Sequence, residues 1–76
     1  MTLALAIDLG GTKIEASLVD DTGTIIPGSR HRVATGAAAA SDVAVLAHAI
    51  DDIVAEVRAH PRWNEVTAAG IGASGP

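Results

Sequence analysis

Six consecutive residues, Asp8-Leu9-Gly10-Gly11-Thr12-Lys13, bring together a carboxylate, two glycines, a hydroxyl and an ammonium. The acid ends an apolar run, Leu3 to Ile7, and a strand-like run, Ile14 to Val19, follows at once. A carboxylate at a strand end can hold Mg²⁺ directly or through water, because hard cations take oxygen ligands. Glycine lets backbone N–H groups approach an anion with no Cβ in the way. Acid, diglycine, hydroxyl and ammonium between two strands are what a hairpin that holds a metal-bound polyphosphate needs. Asp8 is therefore the candidate metal residue, and Asp8, Gly10, Gly11, Thr12 and Lys13 are the candidate phosphate residues. A solvated, outward-pointing Lys13 is an equal alternative, and an ordinary Gly-Gly turn competes for the whole segment. Two other phosphate loops are excluded. No Gly-Lys-Ser/Thr follows a glycine across a four-residue gap, and a strand, not a helix, follows Gly11, against the dinucleotide fingerprint.

These residues must be positioned by elements. Leu3 to Ile7 is continuously apolar, which predicts a strand buried on both faces. Ile14, Ala16 and Leu18 alternate with Glu15 and Ser17, which predicts a second strand with one wetter face. Asp20 to Gly23 is a turn, with Gly23 suited to positive φ. A third strand is expected to start at Thr24-Ile25-Ile26, break at Pro27-Gly28 and resume from Ser29 to Thr35. Proline has no N–H, so this strand is expected at a sheet edge or with a bulge there. Ser41 is the expected N-cap of a helix, with Asp42 in its first turn. Val43, Leu46, Ala47, Ile50, Ile53, Val54 and Val57 recur at helical spacing, with Asp51, Asp52, Glu56 and Arg58 opposite. Pro61 stops the helix near Ala59-His60. Trp63 is expected to pack where the chain returns to the sheet, and Val66 to Ile71 to form a fourth strand.

The fold class is α/β, in the order β-β-β-α-β. Short turns make the first three strands antiparallel, and the helical crossover lets the fourth lie parallel to the first. Asp8 and the glycine-rich segment Gly72 to Pro76 then meet at the C-terminal edge of the parallel pair, where open α/β sheets bind ligands.

Asp-Leu-Gly-Gly-Thr-Lys after a buried strand, this element order, and Gly-Ile-Gly-Ala-Ser-Gly-Pro after the fourth strand together resemble the ROK family of bacterial sugar kinases and repressors. The resemblance implies a partial ribonuclease H-like (actin-like ATPase) fold. Residues 1–76 would be the first part of the N-terminal lobe, with the rest of that lobe and the C-terminal lobe absent. It implies ATP and Mg²⁺ as cofactors and a hexose or amino sugar as substrate. Asp8, Gly10, Gly11, Thr12 and Lys13 match the first phosphate loop. Ala73, Ser74, Gly75 and Pro76 match the segment beside the sugar pocket, where many members have proline at the position of Ser74. The family's proton-accepting aspartate and its Cys/His zinc motif lie further along such chains. No catalytic residue is therefore assigned, and Asn64-Glu65 is expected in a surface turn. By itself the chain is expected to be inactive as a kinase.

Composition bounds the alternatives. The chain has 76 residues, 49% hydrophobic and 18% charged, with one Trp and no Tyr, Phe or Cys. A core this small is marginal, and the ending within a glycine-rich loop suggests part of something larger. A net charge of −4 and a pI near 5.0 argue against a nucleic-acid surface, and Arg30-His31-Arg32 is too short a basic cluster to change that. The absence of cysteine fits a reducing cytoplasm, and neither a signal peptide nor a membrane span is read. Asp20, Asp21, Asp51 and Asp52 read as solvated charges. His31, His48 and His60 have no ligand-like spacing, and His60 near a helix C-terminus suits a cation. Two further functions stay open. One is a sugar-sensing ROK repressor, whose N-terminal helix-turn-helix has no room before a native Met1. The other is a non-catalytic association unit driven by exposed sheet edges, consistent with a homo-oligomer.

Overall fold

The computed structural model describes residues 2–36 and 42–73. Strand β1 (Leu3–Leu9) pairs antiparallel with β2 (Lys13–Val19), and β2 pairs antiparallel with β3 (His31–Ala34). Helix α1 (Val43–Arg58) and a 3₁₀ turn (Trp63–Glu65) lead into β4 (Val66–Ala73), which pairs parallel with β1. The sheet order is β3-β2-β1-β4. The mixed four-stranded sheet with one crossover helix is the expected arrangement, with β3 at an edge.

The core follows from alternation. Leu3, Leu5 and Ile7 of β1 share a face with Ile14, Ala16 and Leu18 of β2, and Ile53 and Val57 of α1 close over them. Trp63 packs against this cluster at the return to the sheet, with the Arg58 guanidinium 5.9 Å from its ring centroid. Such a contact adds a modest cation–π attraction at an exposed site. Gly23 has φ 83° and closes the β2 turn. Asp20 organises that turn, since its Oδ1 accepts from Thr22 N–H, Thr22 Oγ1 and Thr24 N–H.

Several expectations are corrected. β1 is buried on one face only: Ala4 and Ala6, opposite the helix, are half-buried. On β2 the expected wet face is not wet, because Ser17 is buried and Glu15 half-buried. Residues 24–26 form no strand. Ile25 makes a single bridge to Val19, and Ile26 turns into the core. The chain then bends through Gly28 (φ 79°) before β3 starts at His31. Ser29 takes over the missing pairing. Fully buried, its Oγ accepts from Leu18 N–H at 3.0 Å and donates to Ile26 O at 2.6 Å.

The N-cap of α1 is Asp42, whose carboxylate accepts from Ala44 N–H, so the helix starts one residue later than a Ser41 cap would set it. Ser41 itself lies outside the described residues. Val43, now at the first position, is 83% exposed and Ala47 is exposed, so neither belongs to the buried stripe. The helix stops at Arg58 with Ala59 as C-cap, as Pro61 requires. β4 runs two residues further than expected, to Ala73.

Candidate functional site

The Asp8–Lys13 segment is a tight hairpin. Leu9 and Ile14 form its last strand pair, and Gly10 N–H donates to Lys13 O at 2.8 Å. Thr35 N–H donates to Thr12 O at 2.9 Å, which ties the turn to the end of β3. Gly10 and Gly11 are not among the positive-φ glycines. The need for Gly10 is instead close approach: a Cβ there would sit 3.0 Å from Lys13 O. Gly11, Thr12 and Lys13 are exposed at the tip. Among the described residues, the N–H groups of Gly11 and Thr12 have no acceptor. A two-residue tip thus presents solvated donors, which is the chemistry an anion requires.

Asp8 is exposed and stands beside Glu15 on β2 and Gly72 on β4. Among the described residues its carboxylate has no hydrogen-bond or ion-pair partner. Gly72 and Ala73 lie opposite Asp8 and Leu9 in the parallel register, so the start of the second glycine-rich segment reaches the same sheet edge. Ala73 is the last residue of β4, where a loop was expected. Ser74, Gly75 and Pro76 lie outside the described residues.

Mg²⁺ suits this donor set. No group of three or more His, Asp or Glu among the described residues could hold a metal alone. Mg²⁺ characteristically takes one or two carboxylates and completes its shell with phosphate oxygens and water. A single exposed carboxylate, followed by a turn whose Gly11 and Thr12 N–H groups have no acceptor among the described residues, fits that pattern.

One feature of the site escaped the sequence reading. Glu15 is gripped by two guanidiniums: Arg30 Nε donates to Oε1 at 2.8 Å, and Arg32 Nε and Nη2 donate to Oε2 at 3.1 and 2.9 Å. These bonds hold the Glu15 carboxyl below the usual carboxylate range, Arg30 first and Arg32 next. No local signal marked it, because the grip depends on the β2–β3 register, which opposes Glu15 to Arg32.

Asp51 and Asp52 are exposed on α1, and Glu65 pairs with Arg62 at 2.7 Å in the 3₁₀ turn. His31 Nδ1 lies 3.3 Å from Glu56 Oε2. His60 is a latch between the helix end and a distant loop. Arg62 N–H donates to its Nδ1 at 3.0 Å, so Nε2 carries the proton and donates to Pro27 O at 3.1 Å. A cavity of about 250 Å³ beside these histidines, lined by Gly28, His31, Glu56, Ala59, His60 and Pro61, contains none of the candidate site residues.

No family model matches the chain. It is 39% identical over 75 residues to a glucokinase of Streptomyces coelicolor and, equally, to one of Streptomyces lividans. Each match covers 99% of this chain and 21% of the relative, so the chain spans about a fifth of their length. Its fold matches the crystal structure of a ROK family glucokinase from Streptomyces griseus in complex with glucose and AMPPNP. The TM-score is 0.72 at 38% identity, over 96% of this chain and 20% of that one. The sheet and its helix are thus part of an actin-like ATPase fold.

Proposed function

We infer that this ROK glucokinase-like chain supplies the phosphate-binding hairpin of an ATP-dependent sugar kinase acting on a hexose or amino sugar. One observation carries the reading: β1 ends in the exposed Asp8, the hairpin that follows it carries Gly11 and Thr12 N–H groups with no acceptor among the described residues, and β4 reaches Ala73 at the same edge. In this reading residues 1–76 are the first part of an N-terminal lobe. Sequence beyond them supplies the rest of that lobe, the second lobe and the base that takes the proton from the sugar hydroxyl.

Asp8 orients Mg²⁺, which when bound neutralises charge on the phosphates. Gly10, Gly11 and Thr12 would hold the β- and γ-phosphates, with N–H donors from the tip and a hydroxyl from Thr12. Lys13 begins β2 beside them and adds positive charge. Ala73, Ser74 and Gly75 shape the sugar side of the cleft. Phosphoryl transfer needs little covalent help from protein, so holding donor and acceptor in line and balancing charge supply most of the catalysis. ATP and sugar as ligands are supported by the glucose and AMPPNP bound to the Streptomyces griseus enzyme.

The test is Asp8→Ala in the full-length protein. Sugar phosphorylation should fall on the order of a hundredfold or more, as when one transition-state electrostatic contact is removed, while sugar binding persists. Undiminished turnover removes Asp8 from the mechanism.

A further inference from the structure

Asp8 and Glu15 are direct cross-strand partners. Two carboxylates so placed repel each other, and two guanidiniums stand on the same sheet face. The arginines have a choice of carboxylate, and both take Glu15. Arg32 is the register partner of Glu15, so it stands two strand spacings, about 10 Å, from Asp8, which a long side chain and an aspartate can nearly span together. The Arg30 and Arg32 side chains are each 53% exposed, so no packing fixes their direction apart from the pairing with Glu15. Asp8 meanwhile has no partner among the described residues.

We propose that Glu15 is a positioning residue for the phosphate site: by occupying both Arg30 and Arg32 it keeps their guanidiniums off Asp8 and leaves that carboxylate open to a metal-bound polyphosphate. The inference rests on the phosphate-site reading above for its purpose, but not for its geometry. Glu15 does not touch the ligand. It sets which carboxylate is neutralised, because an Asp8 paired to arginine would have to break that pair before it bound a cation.

Arginine Nε–H resonances in ¹⁵N NMR spectra and calorimetry with Mg²⁺·ADP as probe test this. Glu15→Thr removes the carboxylate and keeps a strand-favouring side chain. The arginine Nε–H signals should persist in Glu15→Thr, now bonded to Asp8, and disappear in Glu15→Thr/Asp8→Asn. Affinity for Mg²⁺·ADP should fall about threefold to fivefold in Glu15→Thr, the range over which an exposed ion pair competes. It should recover when Arg30→Gln and Arg32→Gln are added. Glu15 acting only as a structural brace would leave this triple variant no better than the single one.

Loss of the arginine signals already in Glu15→Thr, or no recovery in the triple variant, overturns the proposal. If Glu15→Thr fails to fold, Glu15→Gln, which keeps the shape and loses the charge, is read by the same criteria. The arginine signals need no nucleotide. A wild-type protein that does not bind Mg²⁺·ADP therefore contradicts the phosphate-site reading, while those signals still decide this one.

Discussion

Asp8 and Glu15 have the same chemistry and sit one strand apart, yet one is open and the other is gripped by two arginines. Glu15 borders β3, which carries Arg32, and so meets the arginines first, while Asp8 lies one strand further, beside Gly72 of β4. Asp8 was readable as a candidate from its place at the end of an apolar run. The grip on Glu15 was not, because it joins residues far apart in sequence and depends on the β2–β3 register. The fixed tautomer of His60 was hidden for the same reason, since its partner Pro27 O lies in a distant loop. Gly10 is needed for close approach. Gly10→Ala should lower stability by roughly 1–2 kcal/mol in urea unfolding, because the added Cβ presses on a backbone oxygen that the turn holds in place. An unchanged unfolding midpoint would show that the hairpin yields freely at this point.

At the level of elements, the strands that carry the site were legible because each pairs an apolar run with a clear stop. The third strand does lie at an edge, although Pro27 itself stands outside it. Its expected extent failed: proline and Gly28 cut away residues 24–26 altogether, and Ser29 replaces strand pairing with side-chain bonds. The helix stripe was overcounted at its start because Asp42, not Ser41, caps it, which leaves Val43 beyond the edge of the core. Periodicity alone marks a face but not where the partner surface ends. Ser29 is the element-scale test. Ser29→Ala would leave the buried Leu18 N–H without an acceptor, and an unsatisfied buried donor costs about 1–3 kcal/mol. Urea denaturation should show a loss in that range, and amide exchange at Leu18 should accelerate. An effect within a few tenths of a kcal/mol would mean that water or backbone movement replaces the hydroxyl.

In the whole molecule, burial is uneven. The helix covers β2 and β3, while β4 is exposed from Thr67 to Ala73, with Ile71 63% exposed. An apolar run looks the same in sequence whether one or two layers cover it, which is why the half-open Ala4/Ala6 face was not foreseen. None of the helices among the described residues is long and apolar enough to cross a membrane. Surface charge gives a pH dependence of definite sign. The carboxyls of Glu15, Asp20 and Glu65 are each lowered, chiefly by hydrogen bonds from Arg30, Thr22 and Arg62 respectively. A carboxyl lowered on folding stabilises the native state above its unfolded pKa, and that contribution disappears as pH falls through the folded value. The melting temperature should therefore drop between about pH 5 and about pH 2, gently, because these groups are screened by solvent. Asp20→Ala should flatten the profile, and an unaltered slope would remove the turn carboxylate from the balance. The central claim, that the Asp8–Lys13 hairpin holds a metal-bound polyphosphate, is tested most directly by a ¹H–¹⁵N NMR titration of the protein with Mg²⁺·ATP. Saturating shifts of the Gly10, Gly11 and Thr12 amides, lost in Asp8→Asn, are the predicted result. Shifts confined to other residues, or none at any ligand concentration, would contradict it.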